Sequence, residues 1–110
     1  MTVQLCHTNE CVENYTRSYA IKTAGGLMDV FLVCQHSKVH VYANQCPHTG
    51  STLDWGNDRF LDPEGEFIQC SQHGALFEIS TGTCVYGPCN GQSLHKIPHT
   101  IVDDWVCLQL

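Results

Sequence analysis

The sequence predicts an all-β domain, a sandwich or small barrel, on three observations. Short runs rich in β-branched and aromatic residues recur along the chain, and turn-forming residues fall between them. No window of eleven or more residues carries an apolar stripe at helical spacing. At 110 residues the chain has room for one domain, taken as 1–110, and a domain of this size buries about 60–68% of the surface its unfolded chain exposes. No period of 20 to 50 residues repeats, and no low-complexity linker divides the chain.

The elements follow in order. "TVQL" (2–5) opens as a strand, and the polar "TNECVENYTR" (8–17) is a loop or one short helical turn with "NEC" as its cap. "SYAIKT" (18–23) reads as a strand closed by "AGG" (24–26), and "MDVFLVCQ" (28–35) as a strand closed by "QHSK" (35–38). In "KVHVYAN" (38–44) the alternation sets Val39 and Val41 on one face and His40 and Tyr42 on the other, the period of two that a strand requires. "GEFIQC" (65–70) follows the turn "DPEG" (62–65), and "ALFEI" (75–79) precedes "TGT" (81–83). "LHKI" (94–97) and, after "DD" (103–104), "WVCLQL" (105–110) complete the expected strands.

Eleven acidic against five basic side chains give a formal net charge of −6. That balance disfavours nucleic acid and anionic membrane as partners and favours a basic patch on another protein. The opening "MTVQLCHTNE" lacks the basic and apolar pattern of a secretory signal, and no apolar run approaches the roughly 18–20 residues of a membrane helix. A cytoplasmic location is expected, and there eight cysteines point to metal ligands or buried thiols rather than a disulfide framework. Cys34 and Cys107 sit inside apolar strand runs and are expected as buried thiols. Cys6 and Cys11, in "CHTNEC", have too few partners for a second metal site, and His7, His36, His40, His95 and His99 stand in no ligand pattern. Cys84 and Cys89, in "CVYGPC", are either a disulfide or two packed thiols.

Chemistry concentrates in Cys46, His48, Cys70 and His73. They form a C-x-H and a C-x2-H pair with 21 residues between His48 and Cys70. Each pair follows an expected strand, so two strand-end loops can face one another. Thiolate and imidazole are soft ligands and imply zinc, iron or an iron-sulfur cluster rather than calcium or magnesium. A zinc finger groups like ligands, C-x2-4-C with H-x3-5-H. Here each loop supplies one sulfur and one nitrogen, which suits a two-iron cluster with its sulfurs on one iron and its nitrogens on the other.

With the following "F…TG…GP", the stretches "CPHTGSTLDW" (46–55) and "CSQHGALFEISTGTCVYGP" (70–88) resemble the two cluster-binding loops of Rieske-type [2Fe-2S] proteins, in particular the small soluble Rieske ferredoxins. The resemblance implies an antiparallel β-sandwich with a cluster-binding subdomain at about 45–91, built from two strand-end loops and a proline loop, "GPCNG" (87–91). It implies one [2Fe-2S] cluster per chain, with Cys46 and Cys70 on the inner iron and His48 and His73 on the outer, more exposed one. The interval between the loops is a few residues longer than the family's commonest, and the excess is placed in "NDRFLDPEG" (57–65) as a polar hairpin extension. The extra loop cysteines that high-potential members join as a disulfide are replaced by Ser51 and Gln72, and their two hydroxyl donors by Ala75 and Phe77. Donors to sulfur favour the reduced cluster, so their loss implies a potential toward the bottom of a range of about −150 to +300 mV.

The function this implies is one-electron transfer from a reductase to an oxygenase or similar terminal enzyme, without catalysis by the chain itself. Pro47, Leu53, Trp55 and Pro88 are the expected apolar neighbours of the docking tip. The alternatives are the small Rieske-like subunit of a larger reductase, such as an assimilatory nitrite reductase, and a colourless zinc-stabilised β domain.

Overall fold

A computed structural model of the chain describes residues 2–47, 50, 52–54, 58–71, 74–89 and 91–109. Their strands form three antiparallel sheets of three strands each. β1 (Thr2–His7), β9 (Trp105–Gln109) and β8 (His99–Val102) make the first, with β9 central. β2 (Tyr15–Thr23), β3 (Gly26–Gln35) and β4 (Lys38–Ala43) form a meander, and β5 (Phe67–Gln69), β6 (Leu76–Glu78) and β7 (Cys84–Tyr86) a smaller one. Among the described residues no helix is long and apolar enough to cross a membrane.

The meander divides the interior in two. β3 pairs with β2 from Tyr15↔Cys34 to Thr23↔Gly26 and with β4 from Val30↔Ala43 to Gln35↔Lys38, so Val30 to Val33 are sealed on both edges and wholly buried. Pleating sends alternate side chains to opposite faces. Val30, Leu32 and Cys34 join Val41, Ile97, Val106 and Leu108 in a basal core. Phe31 and Val33 face the other way and join Tyr42, Leu53, Phe60, Ile68, Phe77 and the two cysteines Cys46 and Cys70. The meander is therefore the wall between the base and the site.

Several sequence expectations need correction. "LHKI" (94–97) is no strand. It runs beside β4 with a single bridge, Tyr42↔Lys96, and main-chain bonds from Ala43 N–H to His95 and from Ile97 N–H to Val41, both at 2.9 Å. β7 and β8 went unpredicted: β7 is three residues before a Gly-Pro turn, and β8 starts directly after Pro98. The 8–17 segment resolves into a 3-10 turn, Thr8–Glu10, capped by the His7 side chain, followed by the start of β2. "DPEG" is the turn expected, with Gly65 N–H donating to Asp62 at 2.9 Å. The extension is not merely polar, however, because Phe60 is buried and stacked on Phe31 with ring centroids 4.3 Å apart.

Candidate metal centre

Two turns of the same design carry the cysteines. After β4, the Cys46 carbonyl accepts the Gly50 N–H at 2.7 Å, and after β5 the Cys70 carbonyl accepts the Gly74 N–H at 3.1 Å. Both glycines are left-handed, with φ of 76° and 66°, a conformation other L-residues adopt only at a cost. Each turn thus closes four residues beyond its cysteine and requires the glycine of "CPHTG" and "CSQHG". The sequence places His48 inside the first turn and His73 inside the second, but both lie outside the described residues, as do Ser51, Trp55 and Gln72.

The turns are tied together and to the sheets. Ser71 N–H donates to the Leu53 carbonyl at 2.7 Å, which joins the second loop to the first. Cys70 N–H donates to Ala75 at 2.9 Å and closes the second turn on the start of β6. Asn44 pins the first loop: its Oδ1 accepts the Leu53 N–H at 2.9 Å and its Nδ2 donates to Asp54 Oδ1 at 3.4 Å. Asp58 continues the anchoring, accepting from Ser18 N–H at 2.9 Å and Ser18 Oγ at 2.5 Å. Those two bonds hold the Asp58 carboxyl below its ordinary value. Neither Asn44 nor Asp58 was singled out from sequence; the signal available was an Asn directly after an apolar strand and ahead of a cysteine loop.

Cys46 and Cys70 are each 1% exposed and share the site core with Ala75, Phe77, Cys84 and Cys89. Burial, reinforced by the Cys84 thiol beside it, pushes the Cys89 thiol up to about 12. Two buried thiols on twin strand-end turns, walled by apolar side chains, are donors fit for a soft metal or a cluster that excludes water from its inner half. Among the described residues no three His, Cys, Asp or Glu form a metal-holding group, and the two histidines of the expected set are not among them. Leu53, expected at the docking tip, is fully buried and belongs to the core instead. Val85 and Tyr86, which no sequence signal singles out, are 43% and 65% exposed on β7.

Cys34 and Cys107 are buried thiols as expected, and Cys6 is buried too. His40, on the Tyr42 face of β4, is buried and His99 half-buried; the two line one pocket with Lys96, and burial lowers the pKa of both, with Lys96 adding to it.

The chain matches the Rieske [2Fe-2S] domain family over residues 1–102, and it belongs to that family. Its cofactor is accordingly a [2Fe-2S] cluster. Among solved structures it is similar to a ferredoxin of Sphingomonas yanoikuyae B1, with 26% identity, a TM-score of 0.74, and 100% of this chain and 99% of that one covered. A ferredoxin in a complex of reduced oxygenase and oxidized ferredoxin of carbazole 1,9a-dioxygenase gives 18% identity and a TM-score of 0.74 over 97% of this chain and 91% of that one. A putative nitrite reductase (NADPH) small subunit gives 18% identity and 0.66 over 100% and 99%. No curated protein matches the chain by sequence.

Proposed function

We propose that this chain is a one-electron carrier of the Rieske ferredoxin type, serving a reductase and an oxygenase or similar terminal enzyme. The observation that carries it is the pair of buried cysteines on twin glycine-closed turns, in a chain whose family holds a [2Fe-2S] cluster. In this reading Cys46 and Cys70 bind one iron and His48 and His73 the other. The cluster supplies a reversible one-electron store.

The protein's own contribution is shape and field. Cys46 and Cys70, sunk in the site core, hold their side of the cluster away from water. In this reading His48 and His73 hold the side of the cluster that a partner approaches. Pro88 is exposed and Pro47 half-buried beside the cysteine turns, and Val85 and Tyr86 extend an apolar rim along β7. A net charge of −6 supports a partner that presents a basic patch, and a cytoplasmic setting suits a chain with eight cysteines read as metal ligands and buried thiols. Ala75 and Phe77, buried against the cysteines, offer no hydroxyl to cluster sulfur, which supports a low potential.

The test is electron paramagnetic resonance on anaerobically purified, dithionite-reduced protein, with iron, zinc and acid-labile sulfide analysis. A rhombic signal with average g well below two and two irons per chain is expected; one zinc and no signal overturns the proposal. Redox titration is expected to place the midpoint below about 0 mV. Replacing His48 or His73 by Cys should change the signal and lower the potential, and an unchanged spectrum removes that histidine from the ligand set. Copurification with a large flavin- or haem-containing chain would instead favour the reductase-subunit alternative.

A further inference from the structure

The sulfurs of Cys84 and Cys89 lie 2.6 Å apart. The Cys6 and Cys11 sulfurs, an ordinary thiol contact, are 3.6 Å apart. A disulfide bond is about 2.05 Å long. Cys84 and Cys89 thus stand closer to bonding distance than to contact distance, both buried, at 2% and 0% exposure.

The main chain holds them there without help from sulfur. Gln92 grips both ends of the loop, its carbonyl accepting the Cys84 N–H and its N–H donating to the Cys89 carbonyl, each at 2.9 Å. Thr83 pairs with Ser93 just outside. At the crest, Gly87 is seated so closely on the start of β6 that a Cβ there would come within 2.9 Å of the Ala75 Cα. A disulfide needs its two Cβ atoms brought near one another, and here backbone bonds and a close backbone contact do so.

The electron-carrier role makes no use of this pair. The ligand set is drawn from the other two loops, and the cross-link of high-potential relatives is excluded by Ser51 and Gln72. We propose that Cys84 and Cys89 are a second redox site, a dithiol that closes to a disulfide across its own loop on meeting a small-molecule disulfide such as glutathione disulfide. One protein sulfur, as thiolate, attacks the oxidant, forming a mixed disulfide and releasing one glutathione thiol. The other then attacks the mixed disulfide and releases the second. Two S–H bonds are lost, one S–S bond forms in the protein while one breaks in the oxidant, and both electrons and both protons end on two glutathione thiols. Both sulfurs are buried, so the oxidant reaches them when this surface loop, whose Val85, Tyr86 and Pro88 face solvent, opens locally. Closure cross-links the third loop within itself while leaving Cys46 and Cys70 untouched.

The test uses the intact holoprotein, incubated anaerobically with glutathione disulfide or with reduced glutathione, quenched in acid, and alkylated under denaturing conditions. Intact mass and peptide mapping are then compared. With glutathione disulfide, two of the eight cysteines are expected to escape alkylation, and the mapped cross-link to join Cys84 to Cys89. Dithiothreitol should restore both thiols, and Cys84→Ser and Cys89→Ser should abolish the link. Full alkylation after oxidation overturns the proposal, as does a cross-link that maps to Cys6–Cys11 or involves Cys46 or Cys70. The wild-type map decides the matter even where a serine variant fails to fold.

Discussion

Asn44 holds the first cysteine loop through both ends of its amide, and it does so from a buried position, 7% exposed. Asn44→Ala leaves the Leu53 N–H without its acceptor in a dry environment, a loss of about 1–3 kcal/mol. Thermal unfolding of the variant should fall accordingly, with iron content falling too because the loop carries Cys46. His40 makes a different prediction. Burial lowers its pKa in the folded state, so below its ordinary value of about 6.5 the unfolded chain takes up a proton that the folded chain resists. Stability from this source is full above about pH 6.5 and declines as pH falls below it, and His99 acts in the same sense. Unfolding midpoints measured between pH 7.5 and 5.5 should drop, and His40→Gln should flatten the slope. The alternation around His40 was legible in "KVHVYA". The bond from the Tyr42 hydroxyl to the Ile79 carbonyl at 2.6 Å was not, because it joins residues 37 apart that no local pattern relates.

β3 shows what one strand can do when both its faces are buried. Its even residues belong to the basal core and its odd residues to the site core, so neighbouring truncations should separate in their effects. Leu32→Ala should cost about 2–5 kcal/mol and Phe31→Ala about 3–5 kcal/mol. Only the second removes the ring stacked on Phe60, at 4.3 Å, and so loosens the segment joining the two cysteine loops. Iron retention at equal temperature should therefore be poorer in Phe31→Ala than in Leu32→Ala, and equal retention would contradict the division of the cores. Long apolar strands such as this one announce themselves in sequence. β7 and β8 do not, being three and four residues long and defined by pairing with distant partners, and "LHKI" has strand-like composition but finds its hydrogen bonds as a connecting segment.

Across the molecule, the C-x-H and C-x2-H pattern was legible in the sequence, and of its four residues the structure describes Cys46 and Cys70, buried on matching turns; His48 and His73 lie outside the described residues, and their role as ligands is part of the proposal. The wall between the two cores was not legible, since it depends on how three sheets stack. The net charge of −6 bears on association rather than on folding. If partners present basic patches, the second-order rate of electron transfer should fall several-fold as ionic strength rises to about 0.5 M, because screening lengths shrink well below 10 Å. Stopped-flow reduction with a cationic and an anionic redox reagent checks this, the cationic one slowing with salt and the anionic one speeding up.

The glycine-closed turns at Cys46 and Cys70 have a consequence for engineering. Each closes within five residues, from 46 to 50 and from 70 to 74, so the span joining them is not what shapes either one. Lengthening a flexible loop costs little, about 0.6 kcal/mol for each doubling. Pro63 and Glu64, exposed at the tip of the 62–65 turn, which Gln35 Nε2 holds through the Gly65 carbonyl at 2.8 Å, are therefore a natural insertion point for an affinity peptide or fluorophore tag that leaves both cysteine turns intact.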